Sequence, residues 1–244
     1  MERLRRIAAA VSGPTSTRIL LEVIAICFDA TSSLLASGSA YGVAAYLLRR
    51  DHPRLKWAAV ALMGVTAMQW VEGLLWLDGP IPHGALNQLL TIGLIPLALL
   101  AQPWGPLLGS TFERPVRGRC LPFFLLLTTG LIVVVAARVI YYPTYTQVTP
   151  QGHLNWWSPL NPPVYFAWAY GLWALMIGAP FLLWWRPLWQ GLLIVSWGWL
   201  WAVISFLITD SAASHWCFFI SFYAAFVLIY AFMVSDPPKS TSSG

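Results

Sequence analysis

The side chains best suited to chemistry lie inside an apolar stretch around Glu72. Gln69 precedes Glu72 by three positions and Trp76 follows it by four. Because residues three and four apart are neighbours on a helix, these side chains would share one face. An ionisable residue within a membrane span costs roughly 2.5–3.5 kcal/mol on insertion scales and usually faces the interior of a helix bundle. The stripe therefore predicts a polar binding site rather than a lipid-facing surface.

Long apolar stretches recur along the chain and must position these side chains. Of the 244 residues, 58% are hydrophobic and 9% are charged, and the mean hydropathy is +0.67. Soluble domains carry about 25% charged residues, so this composition excludes a soluble enzyme and a disordered chain. The apolar runs lack a period of two, which favours helices over barrel strands. We predict an all-α integral membrane bundle of about seven transmembrane helices.

Proline, glycine and aspartate residues occur in the connections between the apolar runs. An apolar run of about 20 residues crosses a bilayer. On this basis residues 25–234 form one seven-helix transmembrane domain, with residues 1–24 as a basic N-terminal tail or interfacial helix and residues 235–244 as a cytoplasmic tail. The predicted spans are approximately 25–48, 55–77, 84–109, 120–142, 164–185, 188–209 and 212–234. The third span contains Pro96, Pro103 and Pro106, and we expect a kink near Gln102-Pro103.

The charges of the loops predict the orientation. The first, third and fifth loops carry arginine, whereas the second, fourth and sixth contain no Lys or Arg. The positive-inside rule then places the odd loops and the C-terminus in the cytoplasm and the N-terminus outside. The basic residues of segment 1–24 oppose this orientation, but the alternation of six loops outweighs one short tail.

With this orientation, the polar residues of the spans gather on the outer side of the membrane and predict an outward-opening pocket. The predicted ligand-binding residues are Glu72, Gln69, Asp29, Arg138, His215 and Gln88. Structural alternatives stay open, since Asp29 is also suited to capping a helix and Arg138 to snorkelling to the headgroups or pairing with Glu72. His215 is equally suited to an interfacial position.

Two cysteines also fall near the outer surface, and the third, Cys120, begins the fourth span on the cytoplasmic side. Cys27 opens the first span and Cys217 lies near the start of the seventh. In an oxidising compartment they would form the one feasible intramolecular disulfide. The alternative is two buried thiols packed as small apolar residues.

The predicted pocket favours binding of a small polar molecule or ion, for transport or for sensing. The first alternative is a non-catalytic accessory subunit of a larger membrane complex that contacts lipid or pigment. A metal-dependent membrane hydrolase is the second, and the absence of a His-x-x-x-His pattern from the sequence opposes it. We assign no catalytic residue and no metal ligand, and the sequence names no cofactor.

Membrane lipids are the expected partners, together with a membrane-protein partner or a second copy of the chain. The net charge of +5 does not indicate nucleic acid. The basic residues lie in loops beside apolar segments, where cytoplasmic retention and anionic lipid explain them.

Three short motifs lie in order between residues 27 and 234. They are Cys27-Phe28-Asp29-Ala30-Thr31-Ser32-Ser33, Gln69-x-x-Glu72-Gly73-x-x-Trp76 and Trp216-Cys217-Phe218-Phe219. Together they resemble an uncharacterised family of bacterial multispan membrane proteins, whose members begin Met-Cys-Phe-Ser-Ala-Thr-Ala-Ser. This chain departs from that pattern at Asp29, where serine is usual, and in carrying about 26 residues before the family-like start. The resemblance implies a multi-pass protein of the bacterial inner membrane and implies no activity.

Overall fold

The fold is built from helices, as the apolar patterning predicts. A computed structural model describes residues 29–77, 79, 84–113, 120–141, 145–148, 154–157, 163–209 and 216–234. These residues form seven helical segments, namely α1 (Ala30–Leu48), α2 (Pro53–Leu77), α3 (Ala85–Phe112), α4 (Cys120–Tyr141), α5 (Pro163–Leu183), α6 (Leu188–Thr209) and α7 (Trp216–Met233). The predicted helical class is confirmed for the described part of the chain.

The loop between α4 and α5 contains a β-hairpin that the sequence analysis did not predict. Strand β1 (Tyr145–Val148) pairs antiparallel with β2 (Leu154–Trp157). Tyr145 lies opposite Trp157 and Val148 lies opposite Leu154. The segments are four residues long, which is too short for period-two patterning to stand out from the surrounding loop.

Three of the described helices are long and apolar enough to cross a membrane. These candidate spans are Pro53–Leu77, Ala85–Phe112 and Leu121–Arg138. Shorter apolar helices cover Gly171–Leu183, Leu188–Leu200 and Phe222–Met233. The prediction of a membrane protein is thereby supported at this coarser level.

The irregular part of α3 lies earlier in the helix than expected. An α-helical turn (Ala85–Leu89) is followed by a π-helical segment (Leu90–Leu94), and regular α-helix then runs through Ile95–Gly109. The change occurs just before Pro96, which has no backbone N–H to donate to the preceding turn. The helix is not broken at Gln102-Pro103, and a kink at that position stays a prediction.

Pro103 is accommodated within regular helix because a neighbouring helix replaces the missing hydrogen bond. A proline at this position leaves the carbonyl of Leu99 without its usual donor. Trp173 of α5 donates from Nε1 to the Leu99 carbonyl oxygen over 3.3 Å. Such replacement by a neighbouring helix is how membrane helices tolerate proline.

α2 lies between α1 and α3 and crosses α3 at a pair of glycines. A Cβ added at Gly64 would lie 2.7 Å from the Cα of Gly105, and one added at Gly105 would lie 2.9 Å from the Cα of Gly64. Small residues permit such close approach of membrane helices. The Gly38-x-x-x-Gly42 pattern of α1 also permits close approach, but a Cβ at either position would meet nothing within 4 Å.

One end of the bundle, here called the basic end, holds the α1–α2 and α5–α6 connections and the C-terminus of α7. Arg50 donates from Nη1 to the carbonyl of Ala231 over 3.1 Å and from Nη2 to that of Val234 over 3.0 Å. Trp57 at the start of α2 stacks on Phe181 of α5, with ring centroids 5.9 Å apart. The opposite end, which carries β1 and β2, is called the hairpin end.

Candidate functional site

Two close contacts define the flanks of α2, one near the middle of the helix and one near the hairpin end. A Cβ added at Gly73 would lie 2.6 Å from Cδ2 of Leu34 on α1. Gly64, which contacts Gly105 of α3, precedes Gly73 by nine positions, and successive helical residues turn by about 100°. The two glycines therefore lie on opposite flanks, with α1 against one and α3 against the other.

Gln69, Glu72 and Trp76 lie between these flanks and form the interior stripe of α2. Gln69 is fully buried and Glu72 is 9% exposed, while Trp76 is partly buried. On the same helix Trp70 and Leu74 are exposed, so one side of α2 is directed outward and the interior stripe is directed into the bundle. An amide and a carboxyl group are thus enclosed within a candidate membrane span.

Ser33 of α1 lies level with the helical turn of α2 that joins Glu72 to Trp76. The backbone nitrogen of Leu34 is 3.6 Å from the Cβ position of Gly73. Because α1 and α2 run in opposite directions, Ser33 is then level with Leu74, about 3 Å along the axis from Glu72 and from Trp76. Ser33 is fully buried, and its carbonyl oxygen accepts a 2.9 Å hydrogen bond from the hydroxyl of Ser37. Among the described residues, none provides a hydrogen-bond partner for Ser33 Oγ.

Trp76 adds a second polar atom, one helical turn beyond Glu72. Its indole packs beside a buried apolar cluster that includes Leu75, Leu90 and Leu154. Nε1 is buried and has no hydrogen-bond partner within the part of the chain that the structure describes. Because an indole nitrogen can donate but not accept, this position calls for an acceptor.

Towards the basic end the interior becomes apolar and aromatic. Val65 and Leu62 of α2 belong to a buried cluster with Ile177 and Phe181 of α5. Below them the ring of Trp57 lies 4.8 Å from that of Trp185, measured between centroids. Side chains in such interiors pack closely, so this cluster closes the polar region on one side.

Gln102 of α3 marks the boundary between the polar and apolar regions. Its side chain is buried and donates from Nε2 to the carbonyl of Val65 over 3.3 Å. Thr66, also buried, donates to the carbonyl of Leu62 over 2.6 Å. Both side chains therefore bond to the backbone of α2.

The β-hairpin is attached to α3 by a buried polar network. Asn87 Nδ2 donates to the carbonyl of Thr146 over 2.8 Å, and the Thr146 N–H donates to Asn87 Oδ1 over 3.0 Å. The hydroxyls of Thr91 and Thr146 lie 2.8 Å apart. Asn87 thereby pairs with β1 as a neighbouring strand would, and the network fixes the hairpin over the polar end of the bundle.

The structure assigns different environments to the predicted pocket residues. Gln69 and Glu72 lie together on the interior stripe, whereas Gln88 is exposed in the first turn of α3. Asp29 is exposed and caps α1, accepting a 2.7 Å hydrogen bond from the Ser32 N–H at its Oδ1. Arg138 is half-buried on α4, which packs mainly against α3.

The remaining predictions fall on residues that the structure does not describe. His215 and Cys27 lie outside the described residues, and for Cys217 only the backbone is described. The disulfide between the two cysteines, the role of His215 and the pairing of Glu72 with Arg138 stay predictions.

The side chains of the interior stripe can hold a ligand by hydrogen bonds and by charge. Across the described ranges, no group of three His, Cys, Asp or Glu side chains is placed to hold a metal ion. Glu72 offers a carboxyl group, Gln69 an amide, Ser33 a hydroxyl and Trp76 an N–H donor. This set suits a small polar ligand with both donors and acceptors.

Sequence reasoning selected Gln88 and passed over its buried neighbour Asn87. The signal that was present is the spacing of Asn87 and Thr91, which places two polar side chains on one face of a helix. Thr146 has no comparable signal, because its partner lies on a distant segment. Ser33 was likewise not selected, since a serine in a span also occurs in ordinary helix packing.

In comparisons with known proteins, no family model and no curated protein sequence matches this chain. The candidate site therefore depends on the side chains themselves and on their geometry.

Proposed function

We propose that this chain is a seven-span membrane protein that binds a small polar molecule or ion at its hairpin end. The burial of Glu72 and Gln69 within a candidate span carries this proposal. A carboxyl group is expensive to place in a membrane and is retained chiefly where it serves a function. Ser33 and Trp76 supply further polar atoms within about one helical turn of Glu72 along the axis.

Binding is favoured over a continuous pathway by the distribution of side chains along the interior. The polar residues lie towards the hairpin end, and the apolar cluster around Val65 and Phe181 fills the interior towards the basic end. A permeation path would need polar groups along this part of the interior, between the interior stripe and the basic end. The arrangement favours a pocket that opens at one end.

The orientation of this pocket follows from the loop charges. The basic end carries Arg49, Arg50 and Arg186, and the positive-inside rule directs such an end to the cytoplasm. The pocket would then open outward, in the inner membrane of a bacterium as the family resemblance implies. The same resemblance places Glu72 and Trp76 in a shared motif.

Ligand-dependent stabilisation of the purified protein tests this function. Thermal unfolding would be measured in detergent with a panel of inorganic ions, amines, carboxylates and polyols. We expect at least one compound to raise the melting temperature of the wild type and to leave Glu72→Gln unchanged. Gln88→Ala, which alters an exposed amide, is the matched control and should respond as the wild type does. A panel in which no stabilisation depends on Glu72 would contradict the proposal.

A further inference from the structure

Two buried polar atoms beside Glu72 identify the kind of ligand that this interior suits. Within the described residues, Ser33 Oγ and Trp76 Nε1 lack hydrogen-bond partners. Burying a polar group without a partner is costly, so such atoms call for a bound group to satisfy them. Ser33 lies on α1, about 3 Å from Glu72 along the helix axis, and Trp76 lies one turn after Glu72 on α2.

Trp76, Glu72 and Ser33 differ in the hydrogen bonds and charge that they offer a ligand. The Trp76 N–H requires an acceptor, whereas the Glu72 carboxylate accepts hydrogen bonds and attracts positive charge. The Ser33 hydroxyl can donate or accept. A ligand that binds to all three side chains must carry a cationic donor and an acceptor atom.

We infer that the ligand is a small organic ammonium compound that also carries an acceptor oxygen, as an amino alcohol or an amino acid does. This inference rests on the proposed binding function and names its ligand class. The ammonium group lies at Glu72 and Ser33, and the oxygen accepts from Trp76 Nε1. A bare metal ion would leave the indole N–H unsatisfied, and an anion would face the carboxylate of Glu72.

The spacing of the side chains limits the size of this ligand. Residues four apart on a helix have Cβ atoms about 5–6 Å from each other. Glu72 and Trp76 have this spacing, so the ammonium and the oxygen are separated by a short carbon chain. Apolar side chains such as Val65 and Leu62 occupy the interior below Gln69, and they do not suit a longer polar ligand.

Four probes separate the features of this ligand class. They are 2-aminoethanol, ethylammonium, ethylene glycol and sodium ion, each titrated against the purified full-length protein in nanodiscs. We expect 2-aminoethanol to bind several-fold more tightly than ethylammonium, because only the former carries an oxygen for Trp76. Ethylene glycol and sodium should bind at least tenfold more weakly than 2-aminoethanol.

Three variants assign each preference to its side chain. Trp76→Phe should abolish the preference for 2-aminoethanol over ethylammonium while leaving ethylammonium affinity unchanged. Ser33→Ala should weaken both amines several-fold, and Glu72→Gln should weaken both by about tenfold or more. Ser39→Ala is the matched control, because Ser39 is exposed on α1 and its hydroxyl donates to its own helix at Ala36.

The wild-type titrations alone can overturn the inference, so it does not depend on how well a variant folds. Equal binding of 2-aminoethanol and ethylammonium, binding of sodium alone, or no binding of any probe would each refute the amine class. A preference that persists in Trp76→Phe would also refute it. The proposed binding function is tested separately. It is contradicted only if no compound of the broader panel stabilises the protein in a way that depends on Glu72.

Discussion

Arg54, at the start of α2, and Glu113, just after α3, form an ion pair that joins these helices at the basic end. Arg54 Nε donates to Glu113 Oε1 over 3.1 Å, and Nη1 donates to the hydroxyl of Tyr230 on α7 over 3.3 Å. The guanidinium also lies 5.6 Å from the ring of Trp185. One side chain thus connects α2, α3, α7 and the segment after α5.

Removal of this connection should destabilise the bundle. Hydrogen bonds to charged groups contribute about 1.5–3 kcal/mol each, so we expect Arg54→Ala to lower the free energy of unfolding by about that amount. Thermal unfolding in detergent would measure the loss. Lys56→Ala is the control, because Lys56 Nζ lies 3.7 Å from Asp51 Oδ1 in a more exposed pair worth about 0–1 kcal/mol. Equal losses in the two variants would show that the Arg54 contacts contribute little.

The crossing of α2 and α3 should not tolerate an added methyl group. A Cβ at Gly105 would lie 2.8 Å from the carbonyl oxygen of Val60, and this backbone atom cannot move without shifting α2. We expect Gly105→Ala to destabilise the protein by about 1–3 kcal/mol, the usual cost of overpacking. Gly42→Ala, where the added Cβ meets nothing within 4 Å, should unfold like the wild type. A stable Gly105→Ala protein would refute the close crossing.

The β-hairpin should detach from α3 when Asn87 is removed. Asn87→Ala leaves the buried N–H and carbonyl of Thr146 without their side-chain partner, at about 1–3 kcal/mol for each unsatisfied group. Hydrogen exchange of segment 145–148 should therefore accelerate, while exchange in α2 stays slow. Gln88→Ala, at the exposed neighbouring position, should leave the exchange of the hairpin unchanged. Slow exchange of the hairpin in Asn87→Ala would contradict this account.

The proposed orientation can be tested by labelling from the two sides of the membrane. A cysteine introduced at Gly152, in the connection between β1 and β2, should react with an impermeant reagent added from outside. A reporter fused after Gly244 should report the cytoplasm. The positive-inside rule gives the reason, because the loops at the basic end carry the arginines. The reverse pattern would place the polar interior on the cytoplasmic side.

The number and approximate bounds of the described helices follow largely from the local pattern of residues along the sequence. Continuous apolar runs require a membrane environment, and Pro, Gly and Asp mark where those runs end. The helices that the structure describes begin and end within a few residues of the predicted spans, apart from residues 25–28, which lie outside its description. The stripe of Gln69, Glu72 and Trp76 was also predictable, since spacings of three and four residues place side chains on one helical face.

Tertiary structure alone decided which helix faces meet. Gly64 and Gly105 bring α2 and α3 together, whereas Gly38 and Gly42, which have the four-residue spacing typical of close helix packing, face open space. A glycine pattern states that close approach is permitted, and it does not state which partner makes it. That choice depends on the simultaneous packing of all neighbouring helices.

Some features of the candidate site were likewise predictable from the sequence, and others depend on the tertiary structure. The sequence by itself placed a carboxyl group and an amide in a membrane span, because hydropathy and helical period are properties of adjacent residues. Only the tertiary structure brought Ser33 beside the turn of α2 between Glu72 and Trp76. It also buried Asn87 against Thr146 while exposing Gln88. These relationships join segments that are far apart in the chain, and their energies come from burial and hydrogen bonds that exist only once the helices are packed.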